Sequence, residues 1–248
     1  MESKVNYNEL ANRYDRNPIR NRIDPEAFPL SVATDLYRIL DVGCGTGTFI
    51  ESQVKYYPQK RFQWFGIDPS SGMLANAREK VPSASWIHAS AERLPFNDHF
   101  FDYVTTRFTH HHFTDLTMAV LQIFRVLKPD GCFRMLNIAP DLSPEWWLFK
   151  YFPTAKEFDR KRIRSIEQVS RILIEAGFFV EFSPQKMGPL PASWILNEII
   201  NRETSELVLM ADDIYEAGLA RAQKDLRVLG DRLVEPGLTF GVWKCAKI

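Results

Sequence analysis

Apolar residues recur along this chain in two alternating patterns. Short runs of strand character are separated by longer segments in which apolar positions return at helical spacing. Residues 37–42 read as a first strand and 46–57 as the helix after it. Residues 61–68, rich in aromatics, read as a second strand. Ser70 to Lys80 reads as a helix, with Ser70 as its N-cap and Pro82 just past its end. Residues 84–89 and 100–107 read as strands three and four. Asp115 to Leu127 reads as a helix closed by Lys128-Pro129-Asp130-Gly131, and residues 132–138 as strand five. Strands alternating with helices over this length predict an α/β fold built on a doubly wound, mostly parallel sheet.

The pattern changes after Ile138. Residues 139–164 carry Pro140, Pro144 and Pro153 among Trp146, Trp147, Phe149, Tyr151 and Phe152. This is too long and too aromatic for a simple connector, and long insertions in compact domains often form lids. Ser165-Ile166-Glu167-Gln168 has capping-box spacing and opens a helix to Ala176, with Gly177 as its stop signal. Residues 178–182 read as a strand, 192–229 as mostly helix, and 238–246 as a final β-rich segment. The expected organisation is one domain over 1–248, with an N-terminal helical lid in 1–30 and a helical cap from insertions 139–164 and 189–229.

Candidate chemistry concentrates in Asp41-Val42-Gly43-Cys44-Gly45-Thr46-Gly47, with Asp68 standing 21 residues beyond Gly47. Glycines at alternate positions allow a sharp turn and a close ligand approach. The helix that follows directs free N–H groups at that ligand. A carboxylate ending the next strand can accept hydrogen bonds from ribose hydroxyls, although Asp68 would also suit a helix N-terminus. The dinucleotide fingerprint needs glycine at position 48, where this chain has Thr48, so a nicotinamide oxidoreductase is disfavoured.

Asp41 to Gly47 resembles motif I of the class I S-adenosylmethionine-dependent methyltransferases. The similarity continues through Gly66-Ile67-Asp68-Pro69-Ser70-Ser71-Gly72-Met73-Leu74, Ala91-Glu92-Arg93-Leu94-Pro95-Phe96 and Phe100-Phe101-Asp102-Tyr103-Val104. It ends with His111-His112-Phe113-Thr114-Asp115 and Arg125-Val126-Leu127-Lys128-Pro129-Asp130-Gly131. The resemblance implies a seven-stranded sheet whose C-terminal strand runs antiparallel beside strand five. It implies S-adenosyl-L-methionine as cofactor and S-adenosyl-L-homocysteine as product. It places Asp41, Gly43, Gly45 and Gly47 under the methionyl part, Asp68 at the ribose, and Met73, Ser90, Ala91 and Glu92 around the adenine. Arg107 and Tyr14 complete that expected set, Tyr14 as a lid contact. Many relatives carry Asp where this chain has Ser90, a departure that removes a charge from adenine recognition. Met73 reads equally as core, and Tyr14 as part of an ordinary amphipathic helix.

Composition narrows the partner. Lys plus Arg and Asp plus Glu are both 31, so the formal net charge is zero and there is no strong electrostatic footprint for nucleic acid. Three cysteines without metal spacing fit a reducing compartment, and no metal is expected. No apolar run reaches membrane-spanning length, so the expected location is the cytoplasm. Oligomeric state is not legible.

His111 and His112 follow strand four, where ligands bind in open α/β sheets. They read as a general base or as a structural cap. Trp146 and Trp147 with Arg160, Arg162 and Arg164 are expected to touch the methyl acceptor, the aromatics by contact and an arginine by a fork of hydrogen bonds. The basic stretch also reads as a solvated face. The function expected is methyl transfer to a small molecule, anionic or aromatic. An RNA or protein methyltransferase and a non-catalytic cofactor-binding protein are the alternatives.

Overall fold

The computed structural model describes residues 6–15, 23–29, 36–58 and 61–247. Four strands come first: β1 (Tyr37–Val42), β2 (Phe62–Asp68), β3 (Ser85–His88) and β4 (Phe101–Arg107). β5 (Leu127–Ile138), β6 (Phe178–Lys186) and β9 (Thr239–Lys247) complete a seven-stranded sheet in the order β3-β2-β1-β4-β5-β9-β6. The first five run parallel. β9 lies antiparallel between β5 and β6, the arrangement that the family resemblance implied. Ile39, Leu40 and Val42 of β1 are fully buried because both faces of a central parallel strand are covered. Each such side chain contributes about 1.5–3 kcal/mol by leaving water.

The flanking helices are α1 (Tyr7–Tyr14), α2 (Thr48–Tyr56), α3 (Ser71–Lys80), α4 (Leu116–Val126) and α7 (Ile166–Glu175). Local signals set several of their ends. The Ser70 hydroxyl accepts from Met73 N–H, and Asp115 accepts from Met118 N–H. Ser165 and Gln168 form the reciprocal capping box before α7, and Gly177 beyond its end takes φ +103°. α4 and α7 bury Ile123, Val126, Val169 and Leu173 against one sheet face. On the other face Phe28 meets Tyr37, Phe62, Trp64 and Tyr103 edge-on or tilted, with ring centroids 5.1–6.4 Å apart. The rest of the expected N-terminal lid, 1–5, 16–22 and 30, lies outside the described residues.

Two strand limits differ from expectation. β5 starts at Leu127 rather than Cys132, because Leu127 pairs with Phe101 before a register shift restores pairing at Cys132 with Tyr103. Asp130 at φ +60° turns the chain through that irregularity. β6 runs on past Phe182 to Lys186, including Pro184. It is an edge strand, so the missing proline N–H can face outward while the whole strand pairs with β9.

The segments after β5 and β6 fold together as a helical cap. α5 (Trp147–Tyr151) and α6 (Pro153–Arg162) pack with α8 (Ala192–Ile200), α9 (Ser205–Val208) and α10 (Asp212–Leu226). A two-stranded ribbon of β7 (Leu190–Pro191) and β8 (Leu233–Val234) ties its base. All five cap aromatics are buried in this second core. Phe152 stacks on Tyr215 and lies where a side chain on Gly218 would otherwise sit. These rings are thus primarily the cap's own hydrophobic interior, and only some also face the space beneath it.

Candidate active site

The strand order reverses between β1 and β4, and the crevice beyond their carboxyl ends is where open α/β sheets bind ligands. Asp41, paired in register with Gly66 and Thr105, reaches the floor of this crevice. Beyond it Gly43 N–H and Cys44 N–H both donate to Ile67 O at 2.9 Å, folding the loop over the end of β2. Gly45 has φ +54°, and a Cβ there would meet no described residue within 4 Å. By contrast, a Cβ on Gly43 would strike Thr109, and one on Gly47 would strike Trp86, both at 2.7 Å. Gly45 is therefore the loop position that keeps space open to a ligand.

That space is a cavity of about 1150 Å³ between the sheet edge and the cap. Its walls include Asp41, Gly43, Gly45, Tyr14 and Arg107 on the sheet side, and Trp146, Trp147 and Arg162 from the cap. Asp41 is buried, and its Oδ1 has no hydrogen-bond partner among the described residues. Burial pushes its pKa up to about 7. Asp68 and Glu26 add to the rise and Arg107 opposes it. Arg107 lies over the Phe49 ring at 4.8 Å and pairs with Glu26 at 3.7 Å, and burial depresses its own pKa. Glu26 also binds Tyr103 at 2.9 Å and Arg134 at 3.0 Å. No sequence signal marked Glu26 or Arg134, because their meeting depends on 108 residues of intervening chain.

The expected adenosine contacts have different surroundings. Asp68 accepts from Gly45 N–H at 2.9 Å and Ser70 N–H at 2.8 Å, so it holds the glycine loop, and burial raises its pKa. Met73 and Ala91 are buried in the core. Glu92 accepts from Thr114 N–H and Asp115 N–H at 2.8 and 3.3 Å. Asp68, Met73, Ser90, Ala91, Glu92 and Gly47 do not line the cavity. α1 covers this end. Asn8 Oδ1 accepts from the Ser70 hydroxyl at 2.8 Å and Gly72 N–H at 3.0 Å, and Asn76 donates to Ala11 O at 2.8 Å. Asp15, just past α1, joins Thr46, Thr48 and Lys80 in one polar network. Asp15, next in the chain to Tyr14, thus adjoins the glycine loop.

The three histidines occupy one 3₁₀ turn, 110–112, after β4. His110 is buried and His112 exposed. Asn137 of β5 lies between the first two. Its Nδ2 is 3.2 Å from His110 Nε2, and its Oδ1 is 3.2 Å from His111 Nδ1. His112 Nε2 meets the Tyr7 hydroxyl at 2.8 Å. Only His111 and His112 of the three line the cavity. Burial, then the neighbouring His112, Arg162 and His110, hold the His111 pKa well below the imidazole range.

The acceptor-side arginines do not converge. Arg162 bonds Ser205 at 2.7 Å and is paired with Asp159 and Glu206. Arg160 is exposed outside the cavity, and Arg164 borders a separate small recess with His110, Asp141 and Trp243. Trp146 and Trp147 do reach the cavity wall, and Trp146 Nε1 is buried without a partner among the described residues. Among the described residues no three metal-binding side chains cluster, and no helix is long and apolar enough to cross a membrane.

A doubly wound seven-stranded sheet with an antiparallel β9 and an acid-glycine loop at the switch point defines a Rossmann-like methyltransferase architecture. Residues 40–135 match the family model for the methyltransferase domain. The chain is 30% identical over 164 residues to the demethylmenaquinone methyltransferase of Chlorobaculum tepidum, covering 57% of this chain and 65% of that one. It is 31% identical over 171 residues to that of Chlorobaculum parvum, covering 59% and 68%. It therefore spans about two thirds of the length of these relatives. A solved chain from Anabaena variabilis, described as a methyltransferase of an antibiotic biosynthesis pathway, shares the fold. Its TM-score is 0.68 at 21% identity, over 98% of this chain and 99% of that one. The chain belongs to the S-adenosylmethionine-dependent methyltransferase family.

Proposed function

We propose that this chain transfers a methyl group from S-adenosylmethionine to a small, ring-containing acceptor held beneath the cap. The observation that carries this reading is the partnerless Asp41 Oδ1 beside the open face of Gly45 in a cavity of about 1150 Å³. A buried carboxylate without a donor is costly, and a cationic group of the cofactor would satisfy it. Asp41, Gly43, Gly45 and Arg107 would hold the methionyl end, with Tyr14 closing over it. Asp68, Met73, Ser90, Ala91 and Glu92 would serve the adenosine end once α1 lifts from α3. When bound, the cofactor supplies an electrophilic methyl on a positively charged sulfur.

The remaining residues bind, orient and exclude water. Trp146 and Trp147 give flat apolar contact, and the spare Trp146 N–H offers a hydrogen bond to an acceptor oxygen. Arg162 is already bonded to Glu206, Asp159 and Ser205, which supports a neutral acceptor over an anionic one. Arg160 and Arg164 support no anion clamp either. The names of the Chlorobaculum relatives favour a quinol-type ring. His111 or His112 would receive a proton from the acceptor, and alignment in the closed cavity would supply much of the rate.

The test is transfer of labelled methyl from S-adenosylmethionine, with demethylmenaquinol, simple phenols, total RNA and a protein extract offered in parallel. Label in an extractable ring product is the expected result. Label in RNA or protein, or in none of them, overturns the reading.

A further inference from the structure

Asn137 has a role that neither the family match nor the sequence motifs assign. It is fully buried on β5, opposite Gly241 of β9, and its side-chain amide lies between two imidazoles. Its nitrogen faces His110 and its oxygen faces His111. An amide nitrogen only donates and an amide oxygen only accepts. In this orientation of the amide His110 Nε2 presents a lone pair and His111 Nδ1 carries a proton, and the His110 proton sits on Nδ1, which is buried with no partner among the described residues. A neutral imidazole holds one proton, so His111 Nε2 is left bare. No described residue is hydrogen-bonded to that nitrogen, and His111 lines the cavity shared with Asp41 and Trp146.

We propose that Asn137 is a positioning residue, which locks His111 in the Nδ1–H tautomer so that its Nε2 lone pair takes the proton of the methyl acceptor. This rests on the methyltransferase reading above and names the base within it. The step balances. The acceptor's X–H bond breaks, the proton bonds to His111 Nε2, and the electron pair left on the acceptor forms the new bond to the methyl. The electrons of the old methyl–sulfur bond stay on sulfur, and the imidazolium later returns its proton to water.

The surroundings agree. The groups facing His111 are His110 and His112 on its own turn, Arg162 of α6 and Asn137 of β5. Burial and the first three favour its neutral form, and only Asn137 favours the cation. His110 is kept neutral by burial, by Arg164 and by His112, with a pKa near 3, so it can offer the lone pair that Asn137 requires. The arrangement follows the general rule that a hydrogen bond to one ring nitrogen decides what the other can do.

The test begins with the unsubstituted protein, its histidines labelled with ¹⁵N. His111 should show a protonated Nδ1 and an unprotonated Nε2 at neutral pH, with no titration there. A protonated Nε2 would overturn the proposal, whatever the activity. Asn137→Ala should release the tautomer and lower kcat about tenfold or more while the KM for S-adenosylmethionine holds, below the roughly hundredfold expected for His111→Ala. Asn137→Asp keeps an oxygen for His111 Nδ1 and should restore that tautomer and part of kcat. Unchanged spectra and kcat in a folded Asn137→Ala protein would refute the role. If the tautomer is as expected but no acceptor is methylated, the functional reading fails instead of the assignment of Asn137 as the lock.

Discussion

Replacing Asp41 by Asn should move stability and cofactor affinity in opposite directions. Asp41 is 2% exposed, and its Oδ1 has no partner among the described residues. Burial raises its pKa from 3.8 to about 7, so the folded protein holds this proton more tightly than the unfolded chain does. The stability it contributes is therefore full below 3.8 and is lost as pH rises through about 7. At 1.36 kcal/mol per pH unit, a rise of that size corresponds to about 4 kcal/mol. The amide carries no charge to bury. On the alkaline side the variant should melt several degrees above the parent, and in acid the advantage should vanish. Its cofactor affinity should fall by roughly ten- to hundredfold, the equivalent of about 1.5–3 kcal/mol for one charge-assisted hydrogen bond. Scanning calorimetry across pH and titration calorimetry with S-adenosylmethionine and S-adenosylhomocysteine read both effects. In the parent, cofactor binding below pH 7 should also release a proton, seen as a heat that depends on the buffer. Parallel stability profiles, or an unchanged dissociation constant, would refute the placement of a cationic ligand group at Asp41.

Gly45→Val should still fold, because its Cβ meets no described residue within 4 Å, at a cost of about 1–3 kcal/mol for a branched residue at positive φ. Calorimetry should show cofactor binding lost, and normal binding would mean that the open side of the loop is not the ligand side. Arg162→Met leaves the buried Glu206 without its cation and should destabilise the cap by about 3–5 kcal/mol, measured by urea unfolding. Burial and Glu206 raise the Asp159 pKa, so this protein's stability from Asp159 falls with rising pH, and Asp159→Asn should flatten that slope. Asn8→Ala removes the acceptor shared by Ser70 and Gly72 and should speed S-adenosylmethionine association in stopped flow. An unchanged association rate would mean that α1 does not limit entry.

Local signals in the sequence determined much of the frame. The apolar run of β1, the Ser70 and Asp115 caps, the Ser165 capping box and Gly177 all act within a few residues, so their outcome is legible without the fold. The acid-glycine loop is legible for the same reason: the positive φ of Gly43, Gly45 and Gly47 is a requirement of the turn itself. The limits of β5 and β6 were not legible, because Leu127 and Pro184 join strands only through partners far along the chain. The cap aromatics misled in part. Their composition marks burial, but only packing against Tyr215, Gly218 and α8 decides that they fill the cap's own core. Charge was the least predictable quantity. Arg160, Arg162 and Arg164 look alike in sequence, yet Arg160 is exposed away from the cavity, Arg162 is half-buried and tied to Asp159 and Glu206, and Arg164 is exposed at the rim of a recess beside His110. The Glu26–Arg107–Arg134 group and the Asn137 bridge depend likewise on side chains brought together across the sheet. Hydrophobic periodicity is a property of neighbours in the chain, whereas a side chain's protonation and partners belong to neighbours in space, and only the tertiary structure decides those.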